Sequence, residues 1–212
     1  VAELIEEAFE RCGSEARTGY DFRTARRSIN MVLMEWANQG INMWTVEEGE
    51  IPLVDGTSTY ALPPDTIDLL DAVVRTGTGS SQVDLTLGRV SFSTYATMPN
   101  KNTSGRPSIM KIDRHTPPTV TVWPVPNSTS YTVVYWRLRR IQDAADGTNT
   151  MDVPFLFIPA VTAGLAYELG FKIPEAMSRL QILKAEYTEA WELATGEDRE
   201  RATLRLVPRI TS

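Results

Sequence analysis

The sequence predicts an α+β protein: a four-helix bundle built from two N-terminal and two C-terminal helices, an inserted antiparallel β-rich domain and an extended C-terminal arm. Three observations carry this expectation. Apolar residues recur at helical spacing near both ends of the chain. Between about 43 and 139 the period falls to two and is punctuated by Gly, Pro and Asn. Past Gly196 the chain mixes arginines with aliphatic residues and contains Pro208. The expected boundaries are 1–45 for the N-terminal helix pair, 46–150 for the β-rich insertion, 151–195 for the C-terminal helical hairpin and 196–212 for the arm.

Residues 2–12 place Leu4, Ile5, Ala8, Phe9 and Cys12 on one helical face and Glu3, Glu6, Glu7 and Glu10 on the other, and Gly13 can end the helix in the left-handed conformation. Asp21 to Gln39 forms a longer helix, buried through Phe22, Ala25, Ile29, Val32, Leu33 and Trp36. Arg23, Arg26 and Arg27 cluster near its positive end, where cations are disfavoured, so solvent or an acidic neighbour must compensate them. Ile51–Val54, the Asp55-Gly56 turn and Thr59–Leu62 read as a hairpin. Strands are expected over 67–75, 82–87, 108–113, 119–123 and 131–139, with a long turn-rich loop over 98–107 and the PVPNSTS segment turning the last pair. Residues 144–150 link back to the helices. From about Phe155 to Phe171 the chain is apolar and rich in small residues, with Pro159 tolerable near a helix start. The last helix begins near Pro174 and buries Ala176, Leu180, Leu183, Tyr187, Ala190, Trp191 and Ala194, and Gly196 can close it.

At 212 residues, 42% of them apolar, the chain can bury a sizeable core. A net charge of −6 argues against a general nucleic-acid binder, whose affinity comes from neutralising phosphates. Cys12 is the only cysteine, which excludes an intrachain disulfide and a cysteine-based zinc site and suggests a reduced, intracellular place of assembly. No basic stretch followed by an apolar one suggests a leader peptide. The longest uncharged run of note, Val153–Tyr167, is shorter than the roughly 20 residues needed to span a bilayer, so a core helix is expected and no membrane partner.

The search for chemistry nominates no catalytic, metal-binding or cofactor-binding residue. His115 is the only histidine, and Ser91, Ser93 and Ser108 lack the setting of an activated nucleophile. Asp65, Asp68 and Asp71 are the carboxylates closest to a hard-cation cluster, but a strand turns Asp65 away from Asp68. The loop 76–81 is glycine-rich without the Lys of a phosphate-binding loop. Arg137 and Arg139 share a strand face with Tyr135, followed by Arg140, and read as a solvated edge that discourages strand aggregation.

The order and wording of four segments carry a resemblance. They are AELIEEAFERCG followed by TARRSINMVLMEWANQGINMW; EGEIPLVDGTSTYALPPD; TVTVWPVPNSTSYTVVYWRLRRIQD; and VPFLFIPAVTAGLAYELGFKIPE with RLQILKAEYTEAW. Together they resemble the head-to-tail adaptor, or connector, proteins of tailed bacteriophages, the group that includes tail tubular protein A and the packaged-DNA stabilisation proteins. The resemblance implies a structural virion protein of the neck, assembled in the host cytoplasm. It would form a dodecameric ring under the portal, extend the DNA channel, help retain packaged DNA and offer a platform to a tail or nozzle protein. DNA would pass through without sequence-specific binding. It also implies that the arm reaches the portal or a neighbouring subunit, which nominates Arg201, Leu204, Arg205, Leu206, Val207, Arg209 and Ile210 as the interface. The alternatives are another ring-forming neck or tail component, a peptidoglycan hydrolase of the virion, or a sequence-specific DNA-binding module; the last lacks a helix-turn-helix signature.

Overall fold

A computed structural model describes residues 1–16, 18–40, 43–142 and 151–197. In chain order the elements are α1 (Ala2–Arg11), α2 (Gly19–Asn38), β1 (Val46–Pro52), β2 (Thr59–Ala61), β3 (Thr66–Thr76), β4 (Val83–Thr86), β5 (Gly88–Arg89), α3 (Phe92–Ala96), β6 (Ile109–Asp113), β7 (Thr119–Trp123), β8 (Thr132–Arg139), α4 (Ile158–Gly170) and α5 (Leu180–Glu197). The chain divides into two compact units. One joins Val1–Trp44 to the segment from Ile141 onward, and the other is Thr45–Arg140.

The helical unit departs from the expected four-helix bundle. Of the protein's five described helices, α1, α2 and α5 pack on α4, which is buried from Ala160 through Ala166 and again at Leu169 and Gly170. A helix apolar on every side has no solvent face to offer, so it becomes the centre rather than one member of two equivalent pairs. Its small residues let the neighbours close in. A Cβ on Gly164 would lie 2.9 Å from Cε2 of Tyr187 and 3.1 Å from Cγ1 of Val32. Trp36 of α2 anchors the unit, with its ring centroid 4.8 Å from Trp191 and 5.6 Å from Phe157, while its Nε1 donates to the Tyr187 hydroxyl at 3.0 Å.

Local signals explain the helix ends. Thr18 accepts from the Asp21 amide, and the Asp21 carboxylate accepts from the Thr18 amide, a reciprocal cap that starts α2. Gly13 takes a positive φ of 75° after α1, as expected. Pro159 occupies the first turn of α4. Pro174 opens a 3-10 stretch, Pro174–Arg179, that precedes α5, and the helical segments on either side of the connection are bent by 117°. The α5 stripe is as expected, with Leu183 and Ala194 buried and Tyr187, Ala190 and Trp191 half-buried. Gly196 does not close the helix, which runs on to Glu197.

The second unit is two four-stranded sheets, ordered β1-β8-β3-β4 and β2-β7-β6-β5, facing each other across one core. Leu69, Ala72 and Val74 of β3 and Val133 and Tyr135 of β8 meet Met110 of β6 and Val120 and Val122 of β7. The expected hairpin at Asp55-Gly56 does not form: β1 pairs with β8 and β2 pairs with β7. The turn instead carries the chain from one sheet to the other. Gly56 sits at φ 76°, and the Tyr60 hydroxyl ties the corner by donating to Thr57 O at 2.7 Å while accepting from the Val54 amide at 2.9 Å. Likewise β7 and β8 lie in different sheets, so the PVPNSTS segment is a crossover rather than a hairpin turn. Ladders are antiparallel except β5 with β6, which is parallel.

Candidate assembly surfaces

The nominated arm residues, Arg201, Leu204, Arg205, Leu206, Val207, Arg209 and Ile210, lie outside the described residues, as does the linker 144–150. The arginine cluster of α2 lies within the described residues. Arg23, Arg26 and Arg27, with Tyr20 and Asn30, line an open depression of about 600 Å³. Arg23 Nε donates to Gly19 O at 3.2 Å, a bond along its own helix rather than to an acid. Arg27 is exposed and has no ion pair among the described residues. Arg23 and Arg27 therefore present a basic surface facing outward, with apolar Tyr20, Met31 and Met34 exposed on the same helix at 64%, 55% and 57%. Sequence reasoning missed those three, although large apolar residues on the polar side of an amphipathic helix are a readable signal of contact.

The second basic cluster was misread. Arg137 and Arg139 are not on a solvated edge: β8 lies inside its sheet between β1 and β3, and both arginines are more than nine-tenths buried. Arg137 donates to Asp65 Oδ1 at 2.6 Å, to Glu47 Oε2 at 2.7 Å and to Thr66 Oγ1 at 3.0 Å. Arg139 Nε donates to Glu47 Oε1 at 2.5 Å. Alternation explains the burial, because Val133, Tyr135, Arg137 and Arg139 share the inner face. The hydrogen bond from Arg137 holds the Asp65 carboxyl below its ordinary value. This network ties β1 and β8 to the residues that open β3.

The remaining candidates are likewise committed to internal contacts. Asp65, Asp68 and Asp71 do not converge: Asp65 holds Arg137, Asp68 holds Arg89 at 2.9 Å and Arg114 at 2.5 Å, and Asp71 accepts from the Ala72 amide. Ser91, Asp113 and His115 line one open cleft of about 660 Å³. Yet Ser91 Oγ caps α3 by accepting from the Thr94 amide, Asp113 pairs with Lys111 at 2.8 Å, and no hydrogen bond joins the exposed His115 to either. Lys111 is the missed residue here. Its Nζ lies 4.6 Å from the centroid of Phe92 and 5.0 Å from that of Tyr95, which fixes the short α3 over β6. No group of three or more His, Cys, Asp or Glu among the described residues is placed to hold a metal ion. No single described helix is long and apolar enough to cross a membrane.

A family profile described as SU10 adaptor protein matches residues 1–209, nearly the whole chain. No curated protein matches it.

Proposed function

Because the chain belongs to the SU10 adaptor protein family, structural phage proteins of the head-tail junction, we propose that it is the head-to-tail adaptor ring of its virion. In this reading, copies assemble as a closed ring, dodecameric as in the adaptors that the sequence resembles, beneath the portal. The ring continues the channel through which DNA passes, helps retain the packaged genome, and presents a platform for the tail or nozzle protein. The observation that carries the reading is the family match over residues 1–209. A net charge of −6 supports the channel role, since a conduit must not hold phosphates by counterion release. Assembly takes place in the host cytoplasm, and the product is a neck component.

The segment 196–212 is the proposed portal-binding arm, with Leu204, Leu206, Val207 and Ile210 buried on docking and Arg201, Arg205 and Arg209 set against carboxylates. Co-sedimentation with portal rings tests both levels. The intact chain should add a ring's mass to the portal, visible in particle images, and a chain truncated after Glu197 should keep its melting temperature but lose portal binding. If the intact chain adds no mass, the adaptor reading fails. Equal docking by the truncated chain would reject the arm alone.

A further inference from the structure

Two helices of the same unit carry outward stripes that complement each other. On α2, Tyr20, Arg23, Arg27, Met31 and Met34 recur at steps of three and four residues, so they line one side of the helix. That side is opposite the face that buries Ala25, Ile29, Val32 and Trp36. On α5, Ile182, Glu186, Glu189 and Leu193 recur at steps of four, three and four. All four are exposed, Ile182 at 61% and Leu193 at 70%. Neither stripe has the composition of a merely solvated face. Each sets two like charges between large apolar residues, and the signs are opposite.

We propose that the outer stripe of α2 on one copy packs antiparallel against the outer stripe of α5 on the next copy, and that this is the repeating contact of the assembly. The proposal rests on the self-assembling reading above and supplies its interface. Laid antiparallel, Tyr20 meets Leu193, Arg23 meets Glu189, Arg27 meets Glu186 and Met31 meets Ile182. Both runs span eleven positions, roughly 16 Å of helix at 1.5 Å per residue, so the four pairs stay in step from end to end. A parallel arrangement keeps the same class order but leaves Met34 beyond Leu193, over the C-terminal end of α5. In the antiparallel one it falls toward Met177, which is itself 60% exposed.

Partners within one copy do not account for these residues. The described ion pairs of α2 and α5 include none between Arg23 or Arg27 and Glu186 or Glu189. The one acid with a described cationic neighbour, Glu186, lies 3.9 Å from Arg11, at the limit of an ion pair. The acidic face of α1 is the competing acceptor, with Glu3, Glu6 and Glu10 exposed, but it sets no large exposed apolar residue among its acids. Because α2 of one copy meets α5 of another, the contact is heterologous: each copy keeps a free stripe of each kind, and copies must add until the ring closes. Charge at the centre fixes the register, while the flanking Tyr, Met, Ile and Leu supply buried apolar area.

Sedimentation velocity over a range of concentrations tests the contact on the full chain, with and without portal rings. The variants are R23E/R27E, E186R/E189R and the four-fold charge swap, each confirmed as folded by its melting temperature. Reversal of either side alone should weaken self-association at least about 30-fold, from attraction turned to repulsion at two pairs. The four-fold swap should restore it to within about 3-fold of the wild type. An equimolar mixture of the two single-side variants should recover assembly in strict alternation, since the α2 stripe of each variant is opposite in charge to the α5 stripe of the other. If the wild type assembles and both single-side variants assemble equally well, this interface is wrong while the ring reading stands. If reversal of Glu3, Glu6 and Glu10 abolishes assembly and E186R/E189R does not, α1 is the acceptor and the proposal is overturned. A wild type that remains monomeric both free and on the portal removes the ring reading, and the interface with it.

Discussion

Replacing Arg137 with methionine keeps most of the buried stem and deletes the guanidinium that joins three acceptors. The structure sets the size of the loss. Thr66, itself about nine-tenths buried, loses a neutral hydrogen bond worth about 1 kcal/mol. Breaking a fully buried ion pair costs about 3–5 kcal/mol, because the surviving charge is left unsolvated. Here the surviving carboxylates retain access to water: the Asp65 side chain is 36% exposed and that of Glu47 is 43%, and Glu47 keeps Arg139. Methionine is also cheaper to bury than arginine. The net loss expected is about 2–3 kcal/mol, read by urea unfolding at pH 7. The pH dependence provides a second check. Asp65 is held below its ordinary value of 3.8, first by the Arg137 hydrogen bond, so its contribution is present above that value and is lost as pH falls through the folded one. The gap between wild type and R137M should therefore narrow between about pH 5 and pH 3. A gap of under about 0.5 kcal/mol at pH 7, or one as large at pH 3 as at pH 7, would refute the account of the network.

Three other expectations concern the helical unit. Leu183→Ala should cost about 2–5 kcal/mol in a denaturant melt while Glu192→Ala stays within about 0.5 of neutral, and equal effects would mean that the α5 face is misassigned. Gly164→Ala should destabilise by about 1–3 kcal/mol through overpacking against Tyr187 and Val32, whereas Gly196→Ala, with open space around it, should be neutral or slightly stabilising. Burial pushes the Cys12 thiol up to about 11, against a smaller lowering by Arg179, so it should resist thiol reagents at pH 8 until the protein unfolds. The stability tied to the neutral thiol is therefore intact below the ordinary value of 9.0 and is lost as pH rises toward about 11.

The helices were readable because stripes and prolines act locally: Pro159 sits in a first turn, and Leu183 and Ala194 share one face, whereas the Thr18–Asp21 cap that starts α2 two residues early went unread. What failed was the partnership between elements. Thr59–Ala61 follows the Asp55-Gly56 turn closely enough for a hairpin, and nothing within eight residues shows that β2 belongs with β7 in the other sheet. Arg137 and Arg139 alternate with Val133 and Tyr135 as a buried face would, but two arginines on a strand suggest solvent until Glu47 and Asp65 are placed beside them. The bundle expectation failed for a similar reason. Pairing the helices by sequence order treats all four alike, whereas the lack of charge in Ile158–Tyr167 already marked α4 as the one with no face for water. The α2 surface was half legible, in its arginines but not in Tyr20, Met31 and Met34.

Placing α4 at the centre of the helical unit also sets an order on biosynthesis. Ile158 follows Asn38 by 120 positions, so the ribosome completes α1 and α2 long before the helix that covers them exists. At about 5–20 residues per second that interval is roughly 6–24 s, during which Ile29, Val32, Leu33 and Trp36 have no native counterpart. The segment Thr45–Arg140 is continuous and holds its own core, so it is complete as soon as it has emerged. The nascent chain thus carries a finished sandwich behind an open apolar face.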